Sequence, residues 1–190
     1  RGDAANATAI RQNLEAKVGA GIRSVVPGSA EAAELKAALI AEGMWSQYLE
    51  VGIGPDAEIF TKAQPMSAVG CGAEVGIHKI SRWNNPEPEV VLAVNSKGTI
   101  VGASLGNDVN LRDVEGRSAL LLGKAKDNNG AAAIGPFIRL FDKNFTMETV
   151  EQMHVHLRIE GEDGFVLDAH SDMDQISRPP ASIAAQAINR

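Results

Sequence analysis

The chain has 190 residues, 44% of them hydrophobic and 22% charged, which suits one globular domain or one and a part. A net charge of -6 and an aromatic content of 4% supply neither broad attraction to nucleic acid or anionic membrane nor a base-stacking surface. The single cysteine, Cys71, cannot close an internal disulfide, and no apolar run approaches the ~20 residues of a membrane span, so a cytoplasmic protein is expected. The first ten residues have no apolar core of a signal peptide, and the chain starts with Arg1 rather than Met, as a processed or partial sequence would.

Residues 1–50 read as helical. In "ATAIRQNLEAKVGA", Ile10, Leu14 and Val18 recur at helical spacing. The stretch "PGSAEAAELKAALIAEG" is a stronger helix: Ser29 is placed to cap it, Glu31 lies in its first turn and Gly43 follows its end. Leu35, Leu39 and Ile40 supply its apolar face. From about Val51 short β-branched runs alternate with turn residues. "VVLAVNSKGTIVGASLGNDVNL" reads as a hairpin turning at Asn95-Ser96-Lys97-Gly98, and "HVHLRIEGEDGFVLDAHS" as a second, turning at Glu162-Asp163-Gly164. "PPASIAAQAINR" opens a helix with proline at its start. The expected class is α+β: a helical segment over 1–50, a lid or N-terminal connection, then a β-rich catalytic domain over 51–190. Four or so strands with both edges open make a thin core, so missing sequence, with the domain incomplete at its C-terminus, or a partner chain is expected.

The chemistry concentrates in "NNPEPEVVL", where Glu87 and Glu89 flank Pro88. Alternate residues of a strand share a face, about 6.6 Å apart, and Pro88, lacking an amide donor, belongs at a strand start or edge. If the four-residue loop closes a Val94–Thr99 pair, Glu89 lies opposite Ser104 and Glu87 opposite Gly106. Asp108 then falls on the same face, diagonal to Glu87 at roughly 7–8 Å. A loop one residue longer or shorter would send Asp108 to the other face. Three converging carboxylates repel unless protonated or bound to a cation, and an all-oxygen set suits Mg²⁺, with Mn²⁺ or Ca²⁺ as alternatives. Spacing by itself favours a plainer reading, in which acidic groups deter edge-to-edge strand pairing.

Asp108 sits in "GNDVNLRDVEGRSALLLGKAKDNNGAAAIGPF". Arg112 and Lys124 are candidates to bind an anionic substrate group, and Lys124 or Lys126 could serve in acid–base chemistry if desolvated. The "GK" at 123–124 is no phosphate loop, because Gly116 is too far upstream and Ala125 replaces the serine or threonine. His154 and His156 share a strand face, with no third nitrogen or sulfur ligand nearby in sequence, and read as surface histidines.

At these residues the sequence resembles the fumarylacetoacetate hydrolase family: "EPEVVL", then "GNDVNLRD", "GK" and "GPF" occur in order across residues 50 to 145. It is most similar to the sugar-acid branch, the 2-keto-3-deoxy-pentonate dehydratases. The resemblance implies a mixed sheet rolled into a barrel-like body, usually a homodimer or higher homo-oligomer. It implies that Glu87, Glu89 and Asp108 bind Mg²⁺, that Lys124 takes the active-site lysine position and that Arg112 takes the arginine position. Lys62, in "IFTKA", resembles the lysine of the family's F-x-K segment and joins Lys126 among the expected substrate contacts. The implied activity is a Mg²⁺-dependent dehydration of a 2-keto-3-deoxy sugar acid through a metal-stabilised enolate, giving a keto-acid semialdehyde. Family members run well past the position of Arg190, and hydrolytic members use a His–Glu dyad ahead of the paired glutamates. This chain has no histidine before His78, which disfavours hydrolysis. Two other readings stand beside the dehydratase: a hydrolase or decarboxylase of a diketo acid at the same site, and a non-catalytic metal-binding or oligomer-forming fragment.

Overall fold

A computed structural model describes residues 25–188. The helix expected around Ile10, Leu14 and Val18 lies outside them. The described chain divides into two compact units, one running to Glu58 and including Ser177–Pro179, the other formed by Ile59–Ile176 with the residues after Pro179.

The first unit holds α1 (Ala30–Ala41) and α2 (Gln47–Ile53). Ser29 caps α1, its hydroxyl accepting the Ala32 amide at 3.1 Å, and Ser46 caps α2 in the same way through the Leu49 amide at 3.3 Å. Gly43, with φ 69°, follows the end of α1. Ala32, Leu35 and Leu39 are buried, whereas Ile40 is 54% exposed. Ile40 stands one residue, about 100°, round the helix from the stripe that ends at Leu39. Arg178 is buried, and its guanidinium donates to the carbonyls of Val51, Gly54 and Asp56 after α2.

The second unit is built on a four-stranded mixed sheet ordered β1-β4-β3-β2. Its strands are β1 (Ala68–Val69), β2 (Pro88–Val94), β3 (Ile100–Asp108) and β4 (Ala132–Leu140), with α3 (Arg112–Glu115) and α4 (Leu122–Lys126) between the last two. β1 runs parallel to β4 and the other pairs are antiparallel. Pro88 opens β2 on the sheet's edge, where its missing N–H costs no ladder bond. α5 (Met147–Glu151) leads into a separate two-stranded ribbon of β5 (His154–Glu160) and β6 (Val166–Asp172), and α6 (Pro180–Ile188) follows. Among the described residues no helix is long and apolar enough to cross a membrane.

The β2–β3 register differs from the expected one. Val94 pairs with Ile100, so the loop is Asn95–Thr99, one residue longer than anticipated. Asn95 sets that loop: its side-chain oxygen accepts from the Lys97 and Thr99 amides at 2.9 and 3.0 Å. A register shift between Ala93 and Val94 adds one more residue. Glu89 therefore lies opposite Gly106 rather than Ser104, and Glu87 opposite Asp108 rather than Gly106, with the Asp108 amide donating to the Glu87 carbonyl at 2.9 Å. Two one-residue departures sum to an even number. Beyond the shift, from Ala93 and Gly102 to the open end, every side chain keeps its expected face.

Candidate active site

Past the hairpin's open end the two strands stay in register through asparagines. Asn85 and Asn110 exchange backbone hydrogen bonds at 3.0 and 3.1 Å, and the Asn107 side chain accepts the Glu87 amide at 3.0 Å. The chain then turns into a small core in which Leu111, Val114 and Ala125 are fully buried with Leu121 packed against them. The Leu111 amide donates to the Ala125 carbonyl at 2.9 Å. This core fixes α4, and the last residue of α4 is Lys126.

Lys126 is 4% exposed. Its ammonium lies 2.6 Å from Glu87 Oε2 and 2.8 Å from Asp108 Oδ2. Lys62 approaches from the loop before β1, placing Nζ 3.2 Å from Asp108 Oδ1 and donating to the carbonyls of Lys126 and Ala131. Glu89 completes the group: Glu87, Glu89 and Asp108 each offer a carboxylate oxygen within 4.8 Å of the others. The three expected ligands thus share one face.

The environment separates their electrostatics. Burial and the adjacent Glu87 carboxylate raise the Glu89 pKa above the ordinary glutamate value. Burial, with the like charge of Lys126, lowers the Lys62 pKa. Asp108 Oδ1 is buried and accepts no hydrogen bond, its contact with Lys62 being purely ionic. An all-oxygen donor set of three carboxylates converging within 4.8 Å fits a hard divalent cation.

Two sequence expectations shift. Lys124 is exposed on α4, whereas Lys126 enters the cluster. Two residues along a helix turn the side chain by about 200°, so only one of the pair can face the carboxylates. Arg112, at the start of α3, lies outside the carboxylate group: it donates to Glu115 Oε2 at 2.7 Å. Glu115 in turn accepts from Asn110 at 2.8 Å, and the same amide donates to Glu87 Oε1 at 2.9 Å. Burial by itself would raise the Glu115 pKa, but the bonds from Asn110 and Arg112, with Lys126 nearby, hold it below its ordinary value. Asn110 and Glu115 were not singled out from the sequence; the only signal was the density of asparagines around Asp108. His154 and His156 lie on the β5–β6 ribbon, exposed and paired with Asp172 and Asp168 at 2.6 and 2.5 Å.

No protein-family model matches the chain. A protein of Haloferax volcanii named Probable 2-keto-3-deoxyxylonate dehydratase is 32% identical over 138 residues, 71% of this chain and 45% of that protein. The 2-dehydro-3-deoxy-D-arabinonate dehydratase of Saccharolobus solfataricus is 38% identical over 86 residues, 45% of this chain and 29% of that one. The chain is homologous to 2-keto-3-deoxy sugar-acid dehydratases. Such enzymes are hydro-lyases by name, and solved structures agree. The apo form of a 2-keto-3-deoxy-D-arabinonate dehydratase superposes with a TM-score of 0.69 at 29% identity, covering 76% of this chain and 50% of that one. The same enzyme complexed with magnesium and 2,5-dioxopentanoate gives a TM-score of 0.67 at 29% identity, over the same shares. The matches span between 29% and 50% of the length of these sugar-acid dehydratases.

Proposed function

We propose that the protein is a Mg²⁺-dependent hydro-lyase that removes water from a 2-keto-3-deoxy sugar acid of the pentonate class, giving a keto-acid semialdehyde. The observation that carries this reading is the convergence of Glu87, Glu89 and Asp108 within a stretch homologous to dehydratases. A homologous enzyme with bound magnesium and a dioxo acid supports both the metal and the substrate class.

Glu87, Glu89 and Asp108 would hold the ion. Bound there, Mg²⁺ supplies a Lewis acid for the substrate's keto oxygen. The chain's own groups account for the rest. Three carboxylates against the ammoniums of Lys62 and Lys126 leave one negative charge in surplus. A divalent cation and one substrate carboxylate bring that sum to zero. Loss of the C3 proton builds negative charge on the keto oxygen, and an ammonium in a desolvated site stabilises such charge better than water does. Lys126 is therefore the lysine we assign to that role in place of Lys124. Lys62, whose pKa burial lowers and whose ammonium faces Asp108, is the group we assign to proton exchange with the substrate. The C4 hydroxyl leaves with a proton as water, and Arg112 orients the site through Glu115 and Asn110. A homodimer belongs to the same proposal, on the strength of the family resemblance.

Incubation with 2-keto-3-deoxy-pentonates, with Mg²⁺ and then with EDTA, tests the reading. Semialdehyde formation lost on chelation is expected. Release of pyruvate would replace dehydration with carbon–carbon cleavage, and no turnover of any keto acid would leave a metal-binding protein without this activity.

A further inference from the structure

Asn110 is fully buried, and its amide touches two acidic side chains at once. Nδ2 donates to Glu87 Oε1 at 2.9 Å and to Glu115 Oε2 at 2.8 Å, and lies 3.5 Å from Asn85 Oδ1. Its own Oδ1 is buried with no hydrogen-bond partner. Chemistry fixes this orientation. Carboxylate oxygens accept only, so the reversed amide would press Oδ1 against two oxygens of like polarity. The side chain therefore leaves its acceptor unsatisfied in order to keep both donors on carboxylates. A buried group in that state calls for a reason beyond stability.

Its effect on Glu87 supplies one. Lys126 occupies Glu87 Oε2 at 2.6 Å, and Asn110 restrains Oε1. With both oxygens held, the plane of the Glu87 carboxylate is set before any cation arrives. The bond to Glu115 carries that restraint on to Arg112. We propose that Asn110 is the positioning residue of the carboxylate cluster, presenting Glu87 to a divalent cation and coupling it through Glu115 to Arg112. This rests on the metal-site reading above. Outer groups that orient ligating side chains typically contribute 10–100-fold to metal affinity.

The test uses Mn²⁺ alone, titrated into the full chain and followed by electron paramagnetic resonance. Asn110→Leu and Asn110→Ser are each expected to bind Mn²⁺ about 10–100-fold more weakly than the unaltered protein while keeping its circular dichroism. A folded variant that binds within about threefold of the unaltered protein overturns the positioning role. Should neither variant fold, the ¹⁵N-labelled unaltered protein decides. The Asn110 side-chain amide signal should be protected from exchange and should shift on adding Mg²⁺; a fast-exchanging or unmoved signal overturns the proposal. Failure of the unaltered protein to bind Mn²⁺ removes the metal reading itself, and the positioning role with it.

Discussion

Glu87 and Asp108 face each other across the open end of the β2–β3 hairpin and share a single ammonium, that of Lys126, at 2.6 and 2.8 Å. Two carboxylates on opposing strand positions would otherwise repel. The ammonium is almost wholly buried, so its removal leaves the partly buried Glu87 carboxylate without its cation and Asp108 with Lys62 alone.

Lys126→Met is therefore expected to cost about 3–5 kcal/mol of stability, the scale for stripping one partner from a buried ion pair. The proposed dehydratase activity should fall by about 10²–10⁴. Lys124→Met, at an exposed position of the same helix, should stay within about 0.5 kcal/mol in urea denaturation. The opposite ranking would return the active-site assignment to Lys124.

Glu89 has a pKa raised by burial and by Glu87. A carboxyl that binds its proton more tightly folded than unfolded weakens the fold as pH rises through the window between the two values. That window opens at the ordinary glutamate range and extends upward. Glu89→Gln is thus expected to raise the melting temperature of the metal-free protein at neutral pH, and to flatten its pH dependence just above that range. The same substitution should abolish stabilisation by added Mg²⁺, which otherwise grows with concentration by mass action. Melting curves from pH 4 to 8, with and without Mg²⁺, check both; a variant still stabilised by Mg²⁺ would release Glu89 from the ligand set.

The sequence reading placed the three carboxylates on one face, although the register behind it was wrong by two residues. Apolar alternation and turn residues define a hairpin; they do not reveal an Asn95 side chain enlarging the loop or a shift at Ala93 and Val94. Face depends only on parity, so the conclusion survived. Which lysine enters the carboxylate cluster was not legible. α4 has five residues, too few for a periodic pattern, and its orientation is set by the contact of Leu111 with Ala125. β4 was missed because "AAAIGPF" starts with small residues and contains Pro136. Its pairing is interrupted opposite Ser104, whose hydroxyl donates to the Phe137 carbonyl at 2.7 Å. Asn110 looked like any turn asparagine, since its value lies in two acids contributed from elsewhere in the chain.

Leu111 links that core to the site. It is fully buried between α3 and α4, and truncation removes the packing that aims Lys126. Leu111→Ala should cost about 2–5 kcal/mol in urea denaturation. Mn²⁺ affinity should fall with it, since Lys126 helps fix Glu87 and Asp108. A loss of stability with unchanged affinity would show that the carboxylates hold their places without the helix.

Gly106 lies directly opposite Glu89, on the face that carries the carboxylates. A Cβ built there would stand 2.6 Å from Val91 Cγ2 and 3.4 Å from the Ala133 carbonyl oxygen. Valine is stiff at χ1, so Val91 cannot swing aside cheaply, and the strands must part instead. Gly106→Ala is expected to destabilise by about 1–3 kcal/mol, and to weaken Mn²⁺ binding by moving Glu89 relative to Asp108. Gly123, inside α4 with nothing near its missing Cβ, gives the opposite sign: Gly123→Ala should stabilise by about 0.5–1 kcal/mol. Paired urea titrations of the two variants test the assignment, and a Gly106→Ala protein as stable and as tight for Mn²⁺ as its parent would show that β2 and β3 have slack at the site.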